Sequence, residues 1–528
     1  MINLQIGEND LIGGKFNGHD LHLYLNKLGI DSSHLIAADK DSDDDKTFII
    51  DPKFRWIMRD ADKHYNLVAG THTLPFDIMY NKLFLKSDVI HLHLINNYMF
   101  NVNLLPLFTS LKPTVWTLHD PWALSGRCIH HFDCDRWKIG CGDCPTFSDT
   151  HYKFTQDTTA FNWEMKRIAF QNSQLTLIVA SKWMQNLVKQ SPFFKHCEVN
   201  LVPFGINQEI FKPESAEKVR VELGIDQDSV VIMCRMQDCD FKGGEIIKEM
   251  LRKFKSDKKI TIITVSKEGL LSEFEGKFIL KEYGWVKDDK FLAKLYQACD
   301  IFLMPSKVES FGMMAIEAMS CKKPVVVLEG TALPDTVNAP EVGIKCARNA
   351  DALLKVTKDL VNDVDFRNNR AELSYQYALK EYGLDNYVKK IIKVYDSAIK
   401  SHKPSQYRDH VVTQLLKHDN ISKIKKIDQD LLEAKVDLAN TDLTNTNTDF
   451  KIENIMEQKV THYRKEQLNF FGFIKLIELK QTKELFSVKV FSLSLVKIKT
   501  RYNAQEHCTT KKYYLFGAML FKTKKINF

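Results

Sequence analysis

Short apolar runs alternate with amphipathic helical patterns through the first 400 residues of the chain. The runs that predict strands in its first half lie at 1–6, 88–95, 114–118 and 175–180. Helical patterns lie between these runs, for example at 16–29 and 162–173. Strands separated by helices in this way are typical of βαβ units, whose strands pair in a parallel sheet. The pattern therefore predicts an α/β fold.

The strand and helix pattern starts again near the middle of the chain. A segment with Pro203, Gly205 and Pro213 interrupts it, because proline and glycine break regular elements. Further strands are predicted at 230–234, 259–265, 277–280, 301–305 and 324–329. We therefore predict two doubly wound, Rossmann-like domains, 1–204 and 205–404, with a ligand between them at the carboxyl ends of the strands.

The character of the chain changes after residue 404. Residues 405–462 combine a helical pattern with a polar, low-complexity stretch, so we interpret them as a helix and a linker. Residues 463–528 form a basic, aromatic tail. The last 68 residues, 461–528, contain 14 Lys/Arg and 4 Asp/Glu, a balance of +10, whereas the rest of the chain sums to −3. The basic character therefore belongs to the tail.

The bulk composition is that of a globular protein in water, with 44% hydrophobic and 27% charged residues. No run approaches the roughly 18 apolar residues of a transmembrane helix, and the N-terminal stretch lacks a signal-peptide pattern. Eleven cysteines spread along a long chain favour free thiols in a reducing compartment over a disulfide framework. We therefore expect a cytoplasmic protein.

Two glutamates lie on either side of a predicted helix start in the stretch PSKVESFGMMAIEAMSCKKPVVV, residues 305–327. Ser310 and Gly312 permit a tight turn after the preceding strand, so the first helical amides point into the space between the domains. Unpaired amides and the helix dipole form an anion site that a diphosphate would fit. Glu309 could accept hydrogen bonds from a sugar, and Glu317 from a ribose diol. An ordinary solvated helix is the alternative.

This stretch resembles the signature of the retaining glycosyltransferases of family four, which have the GT-B fold. The resemblance implies that Glu309 faces the donor sugar and takes part in catalysis, and that Glu317 binds the nucleotide ribose. It also implies that Ser310, Phe311 and Gly312 contact the donor. One departure is visible, since the two lysines at 322–323 replace a smaller pair before the Pro-Val.

Other residues of the second domain agree with the resemblance. Arg235 and Lys242 form a basic pair that would neutralise the leaving diphosphate. A surface charge is the alternative for Arg235. Trp285 and Val286 would lie against the base of the nucleotide, with core packing as the alternative. The Asp-x-Asp at 238–240 is interpreted as a solvated loop, so we expect no catalytic metal and no cofactor besides the nucleotide-sugar co-substrate.

The first domain contains two candidate contributions to the site. Gly13 and Gly14 follow the first strand and would allow the backbone to approach the donor diphosphate, with a plain turn as the alternative. The stretch TVWTLHDPWALSGRCIHHFDCDRWKIGCGDCP, residues 114–145, closely resembles the colanic-acid branch of family four. That resemblance implies that His119 hydrogen-bonds the donor sugar, with a structural histidine as the alternative. Asp120 could orient His119 or act at the acceptor.

A cysteine-rich loop, 128–144, follows this motif. Its closing C-x₂-C pair is a good knuckle for tetrahedral thiolate ligation, and His130 or His131 could replace one thiol. We treat a structural zinc as one hypothesis and unmetallated thiols that pack the loop as the other, with disulfides disfavoured in a reducing compartment. The candidate zinc ligands are Cys128, Cys134, Cys141 and Cys144.

The resemblance implies transfer of a sugar from a nucleoside-diphosphate sugar to a glycan or lipid-linked glycan acceptor in surface-polysaccharide biosynthesis. The first domain would bind the acceptor and the second the donor, and no side-chain nucleophile is assigned. A nucleotide-sugar epimerase or a phosphorylase-like enzyme of the same fold is one alternative. A non-catalytic, donor-binding subunit of another transferase is the second.

Aromatic and apolar residues alternate with lysines in the tail, 463–528. Such a mixture suits the interface of an anionic bilayer, where a lipid-linked acceptor would lie. We therefore predict a peripheral position on the inner face of the cytoplasmic membrane. A small β-rich appendage with a solvated basic face is the open alternative, and nucleic acid is not an expected partner.

Overall fold

The computed structural model describes residues 1–11, 18–37, 40–50, 55–96, 99–146, 154–237 and 239–404, together with five strands of the tail. One compact unit contains Met1–Arg55 and Val68–Ser405, and a second contains Trp56–Leu67 and Gln406–Phe528. The predicted glycine pair, Gly13 and Gly14, and the predicted helix and linker at 405–462 lie outside the described residues.

The first unit contains two parallel sheets. The first sheet has the strand order β3-β2-β1-β4-β5-β6-β7, and the second has the order β10-β9-β8-β11-β12-β13. In the first sheet the strands are β1 (Ile2–Gly7), β2 (Asp31–Ile36), β3 (Thr47–Ile49), β4 (Val89–Leu92), β5 (Thr114–Thr117), β6 (Leu175–Val179) and β7 (Glu198–Leu201). In the second they are β8 (Val230–Met236), β9 (Ile260–Ser266), β10 (Ile279–Glu282), β11 (Ile301–Met304), β12 (Val325–Leu328) and β13 (Ile344–Cys346).

Helices connect these strands. Through the first sheet they are α1 (His19–Lys27), α2 (Arg55–His64), α3 (Leu74–Met79), α4 (Lys82–Lys86), α5 (Leu105–Leu111), α6 (Thr159–Gln171) and α7 (Lys182–Gln190). After it they are α8 (Ala216–Leu223), α9 (Gly244–Lys253), α10 (Asp289–Ala298), α11 (Met313–Ser320), α12 (Leu333–Thr336), α13 (Ala350–Asn362), α14 (Val364–Glu381) and α15 (Leu384–Ser401). Two doubly wound parallel sheets confirm the predicted fold class.

Both sheets reverse their direction of winding at a central strand. β1 lies between β2 and β4, and β8 lies between β9 and β11. Ligands of open α/β sheets bind beyond the carboxyl ends of the strands at such switch points. The seven strands of the first sheet end before residue 204, and those of the second sheet begin after residue 205. The exact boundary between the two domains stays a prediction.

The last helix of the first unit, α15, returns from the second sheet to the first. On α15, Tyr395 lies within hydrogen-bond distance of Gln5 on β1 and His91 on β4. Gly205 makes this return possible, because a Cβ there would lie 2.7 Å from Cβ of Tyr387. One buried apolar cluster includes residues of β4, β5, β6, α11 and α15, so the two domains share a core.

The described strands of the tail form antiparallel sheets within the second unit. A two-stranded sheet contains β14 (Leu476–Thr482) and β15 (Leu485–Val490). A three-stranded sheet contains β16 (Lys497–Asn503), β17 (Cys508–Leu515) and β18 (Ala518–Ile526). Among the helices that the structure describes, none has the length and apolar character needed to cross a bilayer.

Candidate active site

The turn between β11 and α11 holds the first predicted glutamate. Gly312 has φ 107° and precedes the first residue of α11, so the helix begins at Met313, directly after the stretch ESFG, 309–312. The positive φ favours glycine at this position, and a Cβ there would lie 2.4 Å from Cδ2 of Leu333, whose side chain would have to move. Glu309 therefore lies in the turn itself, while Glu317 lies inside the helix.

Lys242 lies directly beside this turn. Its Nζ donates a hydrogen bond to Oε2 of Glu309 at 2.9 Å, and the side chains are 19% and 18% exposed. Gly243 follows with φ 73°, and a Cβ there would lie 2.0 Å from the carbonyl oxygen of Pro305. This close approach brings the loop after β8 against the end of β11, and with it the lysine to the glutamate.

The other predicted donor-binding residues of the second domain have different environments. Arg235 is partly buried near the end of β8, and its Nε donates to Oγ of Ser266 at 3.2 Å. Trp285 is 60% exposed, which argues against core packing. Val286 packs against the buried core cluster, as its alternative interpretation predicted.

Glu317 is nearly buried, at 2% exposure. Its Oε2 accepts a hydrogen bond from the hydroxyl of Tyr296 at 3.1 Å. Burial, followed by the nearby Glu317 carboxylate, raises the pKa of Tyr296 well above its usual value, so the phenol keeps its proton and stays a donor. The hydrogen bond from Tyr296 thus orients the carboxylate of Glu317 within the fold.

Two aromatic rings lie between His119 of the first domain and the turn that precedes α11. His119 follows β5 and stacks on Phe204, with ring centroids 5.5 Å apart and planes 1° from parallel. Phe204 in turn meets Phe311 edge-on at 5.2 Å. Oγ of Ser181, at the start of α7, donates to the carbonyl oxygen of Ser310 at 2.7 Å. The structure thus brings candidate residues of both domains together.

Asp120 is the acidic neighbour of His119. Its Oδ1 accepts from the backbone amide of Trp122 at 2.9 Å and caps the short 3-10 helix Pro121–Leu124. Burial raises the pKa of Asp120 from 3.8 to about 6, against the opposing effects of this hydrogen bond and of Lys166. The carboxyl therefore changes charge near neutral pH, which suits a group that exchanges protons.

Lys166 was not predicted from the sequence as part of the site. Its Nζ donates to the carbonyl oxygens of Trp122 and Ser125 at 2.7 and 2.8 Å and lies 3.6 Å from the centroid of the Trp122 ring. Burial lowers its pKa to about 7. Lys166 holds the chain that follows Asp120 in place. A lysine on the buried face of α6 was the available signal, but a solvated lysine is the usual interpretation of such a position.

The raised pKa of Asp120 predicts a pH dependence of stability. The folded-state pKa, about 6, exceeds the unfolded value of 3.8, so the protonated carboxyl stabilises the fold below about pH 4. That contribution to stability is lost as the pH rises through about 6. The difference of about two between the folded and unfolded pKa values corresponds to about 3 kcal/mol. We expect the wild-type free energy of unfolding, relative to Asp120→Asn, to fall by this amount in urea titrations across that range.

Asparagine is the matched replacement because its Oδ1 can still accept the amide of Trp122. A stability difference between the two proteins that does not change with pH would contradict the raised pKa. A difference that grows in favour of the wild type as the pH rises would contradict it more strongly.

The cysteine-rich loop spans the two domains near Lys242. Phe132 contacts Phe241 of the second domain, with ring centroids 5.7 Å apart, and His130 stacks on Trp183 of the first at 5.4 Å. The backbone amide of Gly126 donates to Sγ of a loop cysteine, Cys141, at 3.3 Å. The loop therefore belongs to the surroundings of the candidate site.

The four loop cysteines are free thiols in the structure. Within the described parts of the chain, no group of three or more His, Cys, Asp or Glu side chains is arranged so that it could hold a metal ion. Burial raises the pKa of Cys141 to about 12, which favours the protonated thiol. Both hypotheses, thiols that pack the loop and a structural zinc at Cys128, Cys134, Cys141 and Cys144, stay predictions that metal analysis of the purified chain can test.

Comparison with known families and sequences supports a relationship to glycosyltransferases. Residues 279–377, which include the glutamate turn and α11, match the family described as glycosyl transferases group 1. A D-inositol 3-phosphate glycosyltransferase of Segniliparus rotundus is 31% identical over 153 residues, 26% of this chain and 34% of the relative. A putative colanic acid biosynthesis glycosyl transferase, WcaC of Escherichia coli, is 38% identical over 68 residues, 12% of this chain and 17% of the relative. The chain thus spans about a third or less of these two relatives.

Solved structures with this fold include glycosyltransferases. Sucrose-phosphate synthase from Thermosynechococcus elongatus matches 76% of this chain and 100% of its own, with a TM-score of 0.56 and 16% identity. HepE of Anabaena, in complex with UDP-glucose, matches 75% of this chain and 100% of its own, with a TM-score of 0.53 and 16% identity. These matches show the GT-B fold of the two parallel-sheet domains.

Proposed function

We propose that this chain is a retaining glycosyltransferase that transfers a sugar from a nucleoside-diphosphate sugar. The observation that carries the proposal is the contact between Lys242 and Glu309 at the turn before α11, inside the segment that matches group 1 glycosyltransferases. A lysine, a helix N-terminus and a carboxylate suit a diphosphate and its sugar. The UDP-glucose bound to a protein of the same fold supports a nucleotide-sugar donor.

In the proposed reaction, positive charge develops at the anomeric carbon while the nucleoside diphosphate leaves. Lys242, the amides that follow Glu309 and Arg235 would stabilise the negative charge of the leaving group. Glu309 and His119 would position the sugar, and Glu317 would position the ribose. Contact between the two domains would exclude water and so limit hydrolysis of the donor.

We propose a glycan or lipid-linked glycan as the acceptor. WcaC is named for colanic acid biosynthesis, which favours a surface polysaccharide. The Segniliparus relative is named for D-inositol 3-phosphate, which favours a phosphorylated inositol as the second candidate. Assays that offer each acceptor with the same donor separate the two.

A screen of nucleoside diphosphates by thermal shift tests the proposed donor site. We expect one base to raise the melting temperature more than the others, because a ligand that binds only the folded state stabilises it. Product formed from the activated sugar without any acceptor would favour the epimerase alternative. Donor binding with no transfer to any acceptor would favour the non-catalytic subunit.

The ribose role of Glu317 has its own test. Losing a hydrogen bond to a charged group costs about 1.5–3 kcal/mol, so Glu317→Gln is expected to weaken nucleoside-diphosphate affinity by about tenfold or more in calorimetric titrations. A 2′,3′-dideoxynucleoside diphosphate has no diol, so its affinity should be nearly the same for both proteins. Tyr296→Phe keeps the carboxylate but removes the hydrogen bond that orients it, so it should lose less affinity for the ribose nucleotide than Glu317→Gln does. Equal losses for both ligands would contradict the role.

We propose that the basic tail attaches the enzyme to anionic lipid. Its +10 balance over 461–528 supports this, since each basic residue near such a surface adds about 1 kcal/mol. The full chain should float with vesicles that contain anionic lipid, and a chain truncated before residue 463 should not. Flotation of both, or flotation that does not weaken with salt, would contradict the proposal and leave the β-rich appendage as the interpretation.

A further inference from the structure

A buried hydrogen-bonded chain leads from a backbone carbonyl to His119. Nδ2 of Asn3 donates to the carbonyl oxygen of Asp31 at 3.3 Å, and Nε2 of Gln5 donates to Oδ1 of Asn3 at 2.8 Å. Oε1 of Gln5 lies 2.8 Å from Nε2 of His93. Nδ1 of His93 lies 3.3 Å from Nε2 of His119. Asn3, Gln5 and His93 are at most 2% exposed, so the two bonds that join these three side chains are shielded from water.

The carbonyl at one end sets the direction of every bond. A backbone carbonyl can only accept, so Asn3 presents its amide nitrogen to Asp31 and its oxygen to Gln5. Gln5 must then present its nitrogen to that oxygen, which leaves its Oε1 to accept from His93. Nε2 of His93 is therefore the protonated nitrogen, and Nδ1 carries the lone pair of a neutral imidazole.

Gln5 has a second partner that is compatible with this orientation, since a hydroxyl can accept as well as donate. Its Nε2 also lies 2.9 Å from the hydroxyl of Tyr395 on α15, and that hydroxyl lies 2.7 Å from Nδ1 of His91. A flipped Gln5 amide would place oxygen opposite the oxygen of Asn3. The C-terminal helix of the first unit thus contributes to the environment of a residue on the first sheet.

The surroundings keep both histidines neutral and close together. Burial lowers the pKa of His119 to about 3 and holds that of His93 well below its usual value. Gly18, just before α1, packs on His93, since a Cβ there would lie 2.5 Å from Nε2 of that ring. His93 is therefore confined between β1, the start of α1 and His119.

We propose that His93 is a positioning residue that fixes the tautomer of His119, so that Nε2 of His119 carries the proton and Nδ1 is its acceptor nitrogen. Since His93 offers only a lone pair at Nδ1, the partner nitrogen of His119 must donate. On the proposed function, Nδ1 of His119 is then the atom that accepts a hydrogen bond from a hydroxyl of the donor sugar. A histidine in the other tautomer would offer that hydroxyl a proton instead.

Nitrogen NMR tests the tautomer without any assay of activity. Long-range ¹H–¹⁵N correlation spectra of the ligand-free protein, labelled at its 17 histidines, report which nitrogen of each ring is protonated. The His119 signals are assigned by their loss in His119→Asn. We expect the Nε2–H tautomer in the wild type. The Nδ1–H tautomer, or protonation of both nitrogens at neutral pH, would overturn the proposal whatever the enzyme does.

Three variants separate positioning from packing. In His93→Asn the side-chain oxygen can still accept from His119, whereas His93→Leu has no acceptor. His91→Leu is the matched control, since His91 is a buried histidine of β4 whose nitrogens bond Tyr395 and Thr117 instead. We expect mixed His119 tautomers in His93→Leu and the wild-type tautomer in the other two. Unchanged His119 signals in His93→Leu would overturn the proposal.

Steady-state kinetics then test whether the tautomer of His119 affects the reaction rate. Misplacement of a positioning group can lower the reaction rate by about a hundredfold. We therefore expect kcat of His93→Leu to fall by up to this factor, while KM changes far less. His93→Asn should recover most of the lost rate. If His93→Leu has an altered His119 tautomer but the kcat of the wild type, His119 does not act on the sugar in the proposed way. That result would count against the proposed function, while the inference about the hydrogen-bonded chain would stand.

Discussion

Replacing Lys242 by alanine should lower kcat/KM by about a hundredfold to a thousandfold, the usual effect of removing one preorganised donor from a developing anion. The ammonium lies 2.9 Å from Glu309, at the turn where the diphosphate is proposed to bind. Steady-state kinetics with the preferred donor measure the loss. Calorimetry should show weaker binding of the nucleoside diphosphate as well, because the same charge meets the product.

Lys248→Ala is the matched control for this change. Lys248 lies on α9, close in sequence, and pairs with Glu245 in a largely exposed contact. Exposed pairs of this kind contribute about 0.2–1 kcal/mol to stability and should leave turnover nearly unchanged. Equal losses in the two variants, or a Lys242→Ala enzyme with wild-type kcat/KM, would contradict the assignment of Lys242.

Replacing Glu309 by glutamine should change binding and turnover in opposite directions. The carboxylate neutralises Lys242 in the ligand-free chain, so a diphosphate meets a lysine that is already paired and a nearby negative charge. Removing that charge should tighten nucleoside-diphosphate binding by severalfold, about 1 kcal/mol. Turnover should fall by about a hundredfold, because the glutamine holds the sugar without the charge that stabilises the transition state.

Calorimetry and kinetics on the same preparation test this divergence. Glu245→Gln is the control, since Glu245 faces Lys248 on α9 and not the turn. Weaker nucleotide binding in Glu309→Gln would mean that the carboxylate supports the diphosphate site instead of competing with it. Unchanged turnover would remove Glu309 from the list of groups that act on the sugar.

The sequence predicted the parts of the fold whose strands are buried on both faces. β4, β5, β11 and β12 are buried at every position, so their apolar runs are nearly continuous and easy to recognise. β2 was missed because its residues, DSSHLI, include a serine and a histidine that are buried through hydrogen bonds. β7 and β13, each at one edge of its sheet, are only partly buried, so they lack that apolar signal.

The candidate site was predicted best where a short motif carries its residues. Glu309, Glu317 and Lys242 came from local spacing and resemblance, and the structure places Lys242 against Glu309. His93 and Lys166 were missed because their roles depend on partners far along the chain. The partners of Lys166 are more than 40 residues away, and Tyr395 reaches Gln5 across 390 residues. A pattern read along one segment contains no information about such contacts.

A structure of the protein with a bound nucleoside diphosphate tests the central claim most directly. We predict that the β-phosphate lies within hydrogen-bond distance of Nζ of Lys242 and of the amides at the start of α11, with the ribose hydroxyls on Glu317. A diphosphate bound away from this turn, with the Lys242–Glu309 pair left intact and the ribose remote from α11, would contradict the account.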